Sequence, residues 1–262
     1  MSEASTPRLS VCIIAFNEEE RLPACLASIA FADEIVVIDS HSTDRTRELA
    51  AAAGARVIER PFPGHVEQKN FAAAQARGAW VLSLDADERL SSTLAEEIQR
   101  VIAEDDPRFV AWEMPRCTWY LGRWIRHGAW YPDRKLRLWR RGHAEWRGRN
   151  PHDHAFADGP VGRLRGDLLH LSYRDVADHL RTIDKFTTIM AGERAKEGER
   201  FRWTSLLFSP PFRFVRDYLL KRGFLDGAAG FLIAVLAAYY VFLRHLKLWE
   251  LQRGKGAPTG EP

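Results

Sequence analysis

The sequence predicts an α/β protein built on a mostly parallel sheet, and three observations lead there. Apolar strand patterns alternate with helix patterns from Leu9 to Ala103, the arrangement that builds βαβ units and pairs strands in parallel. One of those strand patterns runs into Leu84-Asp85-Ala86-Asp87-Glu88. Loops at the carboxyl ends of strands in open α/β sheets are where ligands bind. After Pro107 the alternation stops, and strand-like runs are separated by Gly, Pro and aromatic residues.

The elements follow in order. Residues 9–15 are a β-rich apolar run, and residues 18–30 read as a helix with Asn17 as N-cap and Glu20 three residues on. A strand over 34–38 precedes a helix over 43–53, closed by Gly54 at a C′ position. Residues 56–59 form a short strand, and 65–77 a helix closed by Gly78. Residues 81–84 are the next strand and 92–103 the next helix. Beyond Pro107, residues 109–114, 134–139 and 162–171 read as strands, and 175–198 as a long charged helix. Residues 201–253 are apolar, aromatic and basic, and the Gly/Pro-rich stretch 254–262 is expected to be disordered. The expected division is therefore a domain over 1–200, with halves at 8–106 and 107–200, followed by a helical segment over 201–253. No internal repeat is present.

A chain of 262 residues with 46% apolar content can bury a substantial core in one large domain. The net charge of +3 does not suggest a nucleic-acid binder. That charge is unevenly placed: residues 201–253 hold eight Lys/Arg against three acids, a balance of +5, which leaves −2 for the rest. Cys12, Cys25 and Cys117 share no metal or redox spacing, which fits a reducing compartment. Residues 1–7 are polar, with no basic-then-apolar signal pattern, so the chain is expected to be made and kept in the cytosol.

Three successive strand patterns end in polar, mostly acidic residues: Ala15-Phe16-Asn17-Glu18-Glu19, Asp39-Ser40-His41-Ser42-Thr43-Asp44, and Asp85-Ala86-Asp87. Asp85 and Asp87 at a strand rim can hold a hard divalent cation, which in turn bridges to phosphate oxygens. Asp39, an acceptor only, suits a base N–H or a ribose hydroxyl. Asp44 opens a helix, where an acid complements the macrodipole, so capping explains it as well as ligand contact does. Asn17 is either a helix cap or a ligand contact. No G-x-G-x-x-G or Walker loop follows the first strand, which argues against a dinucleotide or P-loop site. Phosphates must then be met by metal and side chains, with Asp85, Asp87 and Lys69 as candidates. Lys69 reads equally as a solvated helix residue.

The stretches "SVCIIAFNEEERLPACLASI", "EIVVIDSHSTDRT" and "KNFAAAQARGAWVLSLDADERL" resemble glycosyltransferase family 2 enzymes of the GT-A fold, over residues 9 to 105. The resemblance implies a nucleotide-sugar donor, a divalent metal (Mg²⁺ or Mn²⁺) at Asp85 and Asp87, and a base-contacting acid at Asp39. Ala15, Asn17, Glu18, Asp39, Lys69 and Asp85 are then the candidate donor-binding residues.

In the second half, "YPDRKLRLWRRG", "GRNPHDHAF" and "LLHLSYRDVADHLRTIDKFTT" are similar to the lipopolysaccharide core glucosyltransferase subgroup that acts on heptose. That subgroup commonly carries a His-Glu pair where this chain has His152-Asp153, one methylene shorter. An inverting transferase needs a general base for the acceptor hydroxyl and positive charge for the leaving diphosphate. Asp153 is the candidate base, with His154 a weaker one; Asp153 reads equally as a cap for the turn after Pro151. His170 ends an apolar run and is either a core residue or, as in many GT-A enzymes, a further metal ligand, for which imidazole suits Mn²⁺. Arg134, Lys135 and Arg137 alternate along a strand and cannot all line one site.

Residues 227–243 hold no charge and are flanked by Lys221 and Arg222 before and Arg244 and Lys247 after. Seventeen uncharged residues are at the short edge for a span. Three readings stand: an interfacial helical pair on an anionic membrane surface, a single spanning or re-entrant helix, and a soluble packing helix. The expected function is metal-dependent, inverting transfer of a hexose from a UDP-sugar to a glycolipid of the lipopolysaccharide core, at the inner face of the plasma membrane. The alternatives are transfer to polyprenyl phosphate, as in dolichyl-phosphate mannose synthase relatives, and a nucleotide-binding scaffold without turnover.

Overall fold

The computed structural model describes residues 7–149 and 152–253. The chain divides into two compact units, Met1–Cys117 with Asp133–Leu171, and Thr118–Pro132 with Ser172–Pro262. The expected tail over 254–262 lies outside the described residues.

In the first unit, β1 (Leu9–Ala15), α1 (Leu22–Ser28), β2 (Glu34–Asp39), α2 (Thr46–Ala52), β3 (Arg56–Glu59), α3 (His65–Ala74) and β4 (Trp80–Asp85) alternate. β1 lies between β2 and β4, with β3 beyond β2, and all four are parallel. β5 (Glu88–Leu90) and α4 (Ser92–Glu104) follow. Leu9, Val11 and Ile13 pack on Leu22 and Leu26 of α1 and on Leu94 and Ile98 of α4. On the other face, Cys12 and Val36 pack with Ala72 of α3. Burial on both faces explains why these strands read as continuous apolar runs.

The chain continues through β6 (Ala111–Tyr120), β7 (Arg123–Trp124), β8 (Asp133–Arg140), β9 (Ala144–Arg149), β10 (His152–Ala157), β11 (Val161–Arg163) and β12 (Leu168–His170). β8 pairs antiparallel with both β4 and β6. The sheet order is β3-β2-β1-β4-β8-β6-β12-β5, and β9 and β10 form a separate antiparallel pair. The predicted mixed α/β fold is present, with parallel pairing confined mainly to the first four strands.

The second unit holds the short β6–β7 pairing at Trp119–Trp124 and Tyr120–Arg123. It also holds α5 (Val176–Lys196), α6 (Trp203–Val215), a π-helical turn Arg216–Leu220, a 3₁₀ turn Gly223–Asp226 and α7 (Gly227–Arg253). Its core gathers Tyr120, Ile125, Ala229 and Ile233, with Trp130 and Tyr173 against them. Asp226, almost fully buried, accepts from the backbone N–H groups of Arg126 (3.1 Å) and His127 (2.8 Å).

Several expectations are corrected. The first helix starts at Leu22 rather than residue 18, because Pro23 sits in its first turn, where its fixed φ suits a helix start. Asn17 is not its cap: it has φ +55°, and its Oδ1 accepts the Thr43 N–H at 2.8 Å. The second helix starts at Thr46 with Arg45 at the cap position, and Asp44, one residue before it, accepts the Thr46 N–H at 3.0 Å. Gly78 does not cap α3 in a left-handed conformation; a Cβ there would lie 2.7 Å from the Ser10 nitrogen, so close backbone approach requires glycine. The run 162–171 is two strands, interrupted at Leu164, which is buried, and Gly166, where a Cβ would strike Leu94. β5 and the β9–β10 pair were not anticipated. The units do not divide at residue 200. α5 belongs with α7, where Lys247 Nζ donates to the Asp184 carbonyl (2.8 Å) and to the hydroxyls of Thr187 (2.9 Å) and Thr188 (2.7 Å).

Candidate active site

The carboxyl end of β4 is organised by a residue the sequence reading passed over. Glu88 has no exposed surface, and its Oε2 accepts the Asp85 N–H at 3.0 Å, folding the turn back on the strand. Its Oε1 accepts from Arg137 at 2.8 Å. Arg137 belongs to β8, the neighbour of β4, and the same guanidinium nitrogen reaches Asp85 Oδ2 at 3.0 Å. From α3, Lys69 Nζ lies 2.9 Å from Asp85 Oδ1 and 2.8 Å from Asp153 Oδ2 on β10. The result is a continuous ladder of alternating charge: Asp153, Lys69, Asp85, Arg137, Glu88. The indole of Trp146 on β9 lies beside both cations, 4.3 Å from Lys69 Nζ and 4.9 Å from the Arg137 guanidinium carbon. Such cation–π contacts strengthen where water is excluded.

Burial raises the cost of ionising Asp85, yet Lys69 and then Arg137 outweigh it and hold its pKa well below the ordinary carboxylate range. Burial likewise opposes the charge on Arg137, but Glu88 and Asp85 hold its pKa above the usual arginine value. Buried charges persist in this way only when each has a partner. Lys69 is therefore not the solvated helix residue that was one of its two readings.

Asp87 leaves the ladder and faces another group. Its Oδ2 is 3.3 Å from His170 Nε2 and 3.9 Å from an Arg21 nitrogen. The register explains the encounter: β12 pairs antiparallel with β5, His170 lies opposite Glu88, and the Leu171 N–H donates to the Asp87 carbonyl at 3.0 Å. Two ligand atoms at right angles around a small divalent ion lie about 3 Å apart. The Asp87–His170 pair thus fits two neighbouring positions on such an ion, and the carboxylate–imidazole set suits Mn²⁺. Among the described residues no group of three or more His, Cys, Asp and Glu is arranged to hold a metal. The Asp85 oxygens meet Lys69 and Arg137, so the remaining ligands would come from donor and water.

Asp39 at the end of β2 is fully buried. Its Oδ2 accepts the Ser42 N–H at 2.8 Å, while its buried Oδ1 has no hydrogen-bond partner among the described residues. The neighbouring loops are stapled together. The Ser42 hydroxyl accepts from the Asn17 N–H (2.9 Å), Thr46 Oγ1 accepts from the Glu18 N–H (2.8 Å), and the Ala15 carbonyl accepts from the Ser40 N–H (2.9 Å). β1 separates β2 from β4, with Ala15 opposite Asp39 and Ile14 opposite Asp85. The Asp39 and Asp85 backbones therefore stand two strand spacings apart, about 10 Å.

The structure thus brings Asp39, Asp85, Asp87, Lys69, Asp153 and His170 to one end of the sheet. His154 alternates away from Asp153, is exposed, and lies against the Phe156 ring at a tilt of 54°. Of the three basic residues on β8, only Arg137 enters the ladder; Lys135 pairs with Asp133 at 3.0 Å and Arg134 donates to the Leu164 carbonyl at 3.3 Å. Glu88 and Trp146 are the site residues missed, while Arg137 stood among three basic residues of one strand without being singled out; its place between Leu136 and Leu138 on an apolar strand was the available signal.

The profile described as Glycosyl transferase family 2 matches residues 10–164. A lipopolysaccharide core biosynthesis glycosyltransferase, LpsC of Rhizobium meliloti (strain 1021), is 33% identical over 96% of this chain and 95% of its own. An uncharacterized glycosyltransferase of Rickettsia typhi is 29% identical over 93% of this chain and 87% of its own. Among solved structures, a mannosyltransferase from Pyrobaculum calidifontis, in complex with GDP-Man and Mn²⁺, covers 94% of this chain and 88% of its own with a TM-score of 0.54 at 15% identity, a likeness of fold.

Proposed function

The chain belongs to glycosyl transferase family 2 and is a glycosyltransferase, and we propose that it moves a hexose, with inversion, from a UDP-sugar to a glycolipid acceptor of the lipopolysaccharide core. The observation that carries this reading is the placement of Asp153 one ammonium away from Asp85, beside the Asp87–His170 pair.

Each residue has a task in this reading. The unpartnered Asp39 Oδ1 accepts from the base of the donor, where a carboxylate discriminates for an N–H. Asp87 and His170 would hold the divalent cation, which would supply positive charge to the diphosphate leaving group. Lys69, shared between donor side and acceptor side, offsets negative charge that develops as the diphosphate departs. Asp153 takes the proton from the acceptor hydroxyl as its oxygen attacks the sugar C1. Arg137 and Glu88 do not touch substrate; they keep Asp85 in place.

The acceptor reading agrees with the second unit. Trp203, Leu207, Phe208 and Phe212 of α6 are exposed, with Lys221 and Arg222 following. Basic residues among exposed aromatics suit the interface of an anionic membrane. Residues 223–253 are long and apolar enough to cross a membrane by length and composition. However, α7 packs on α5, whose Arg181, Asp184, Lys185 and Glu193 would be carried into hydrocarbon with it. A helical pair lying on the cytoplasmic face is the reading this favours.

The test is a panel of nucleotide sugars with and without Mn²⁺ or Mg²⁺, read by thermal shift and by transfer to a heptose-bearing core lipid. A UDP-sugar is expected to raise the melting temperature only with the metal, and Asp87→Ala to abolish both shift and transfer. Equal donor binding in Asp87→Ala, or without metal, would end the metal assignment.

A further inference from the structure

We infer that the helical unit carries a pocket for a phosphate oxyanion, of the kind presented by a phospholipid headgroup. The inference deepens the membrane-surface reading above, and rests on it only for the source of the phosphate. A cavity of about 420 Å³ is lined by Gly198, Glu199, Arg200, Arg202, Ser205 and His245. It lies where α5 has ended, α6 begins and α7 passes.

Four features of this cavity point to an anion. First, its charge is unbalanced. Arg200 and Arg202 line it against Glu199, which Arg194 engages at 2.9 Å, and the charges of Arg244 and Arg194 act on the lining His245. Second, Arg200, Arg202 and Arg244 lack partners among the described residues. The side chains of Arg200 and Arg202 make no hydrogen bond or ion pair among the described residues, and the buried Nε of Arg244 has none either. Arg200 and Arg202 are exposed and free to meet a ligand, the partly buried Arg244 is left with a costly unpaired Nε, and phosphate is the ligand that the guanidinium fork of donors fits best. Third, His245 is 6% exposed and has no hydrogen-bond partner among the described residues. Burial, then Arg244 and Arg194, push its pKa down, so at neutral pH it offers an uncharged ring N–H rather than further repulsion. Fourth, α6 starts at the cavity without a side-chain cap, since Arg202 occupies the cap position. An uncapped helix start presents N–H groups and the positive end of the dipole to an anion.

The surroundings indicate where the phosphate comes from. Trp203, Leu207 and Phe208, on the first turns of α6, are 59%, 62% and 69% exposed. Trp203 also contacts Phe201 and Trp249, with ring centroids 5.1 and 5.9 Å away. An aromatic edge beside an oxyanion pocket matches the boundary between headgroup and acyl chain, where indole rings settle.

Two arms on the full-length protein test this. The first measures pelleting with phosphatidylcholine vesicles containing phosphatidylglycerol, comparing Arg200→Gln/Arg202→Gln with Arg181→Gln/Lys185→Gln, an equal charge loss on α5. The second titrates inorganic phosphate at constant ionic strength and follows the melting temperature. A loss of vesicle affinity of about tenfold or more for the first pair, with the second within about twofold of wild type, supports the pocket with a lipid source. A phosphate-dependent rise in melting temperature that Arg200→Gln/Arg202→Gln lacks, with unchanged vesicle binding, supports the pocket with a soluble phosphate compound as its ligand. Equal effects of the two pairs on vesicles, together with no phosphate-dependent shift in wild type, overturn it. Failure of vesicle binding in wild type, with the phosphate shift intact, would remove the membrane reading and leave the pocket standing.

Discussion

The ammonium of Lys69 lies 2.8 Å from the carboxylate of Asp153, a residue 84 positions away in the chain. Both side chains are nearly inaccessible, at 6% and 10% exposure. The same ammonium touches Asp85, so one positive charge stands between two carboxylates. Lys69→Met would leave both carboxylates facing each other without it. Removing one partner of a buried pair costs about 3–5 kcal/mol. The expected outcome is a loss of that size in urea unfolding, with transfer reduced beyond what the remaining folded fraction explains. Lys69→Arg should recover stability better than rate, because the guanidinium keeps the charge but changes its reach.

Asp153→Asn separates an acceptor hydroxyl from an acceptor phosphate. A hydroxyl needs its proton removed, so kcat is expected to fall by about 10²- to 10⁴-fold. Donor KM should change little, since Asp153 meets Asp85 through Lys69 rather than directly. Steady-state kinetics with saturating donor checks this. A rate within a few fold of wild type would favour an acceptor that is already ionised, and the base assignment would fall.

Asp39 spends one oxygen on the Ser42 N–H and keeps the other unpaired in a buried setting. Asp39→Asn can retain the first bond but replaces an acceptor by an amide that donates. A lost hydrogen bond to a charged acceptor is worth about 1.5–3 kcal/mol, so UDP affinity should drop by roughly ten- to a hundredfold. Calorimetric titration of UDP measures it, and unchanged affinity would exclude Asp39 from the base pocket.

The donor half is legible in the sequence because its cause is local. Strands buried on both faces read as apolar runs, and each rim is marked where polarity returns, as at Asp39 and Asp85. The ladder is not legible in the same way. Lys69–Asp85, Arg137–Glu88 and Lys69–Asp153 are separated by 16, 49 and 84 residues, and periodicity reports which face a residue takes, not what it meets there. Lys69 has the same helical spacing whether it is solvated or buried. The β9–β10 pair escaped because its strands are short and rich in charge, yet it is what turns Asp153 inward and His154 outward. In the second unit, composition marks 201–253 as apolar, aromatic and basic, but the packing of α5 on α7 includes Lys247 meeting Asp184, which no pattern within either segment signals.

His179 makes the second unit sensitive to acid in a definite window. Its Nδ1 is 2.8 Å from the Tyr120 hydroxyl, and the Tyr173 ring stacks on it at 4.2 Å. Burial pushes its pKa down from 6.5 to about 4, only partly opposed by Asp178. Between those values the unfolded chain binds a proton that the folded chain refuses. Stability from this residue is therefore complete above pH 6.5 and is lost as pH falls towards 4. The total is on the order of 3 kcal/mol. His179→Gln keeps a hydrogen-bonding group for Tyr120 but cannot titrate. It should lower stability at pH 7 and remove most of the wild-type decline between pH 6.5 and 4. Hydrogen exchange of peptides from residues 118–132 and 172–190 at several pH values reads this unit separately from the sheet. Parallel pH profiles for wild type and His179→Gln would show that His179 is not the source of the acid response of this unit.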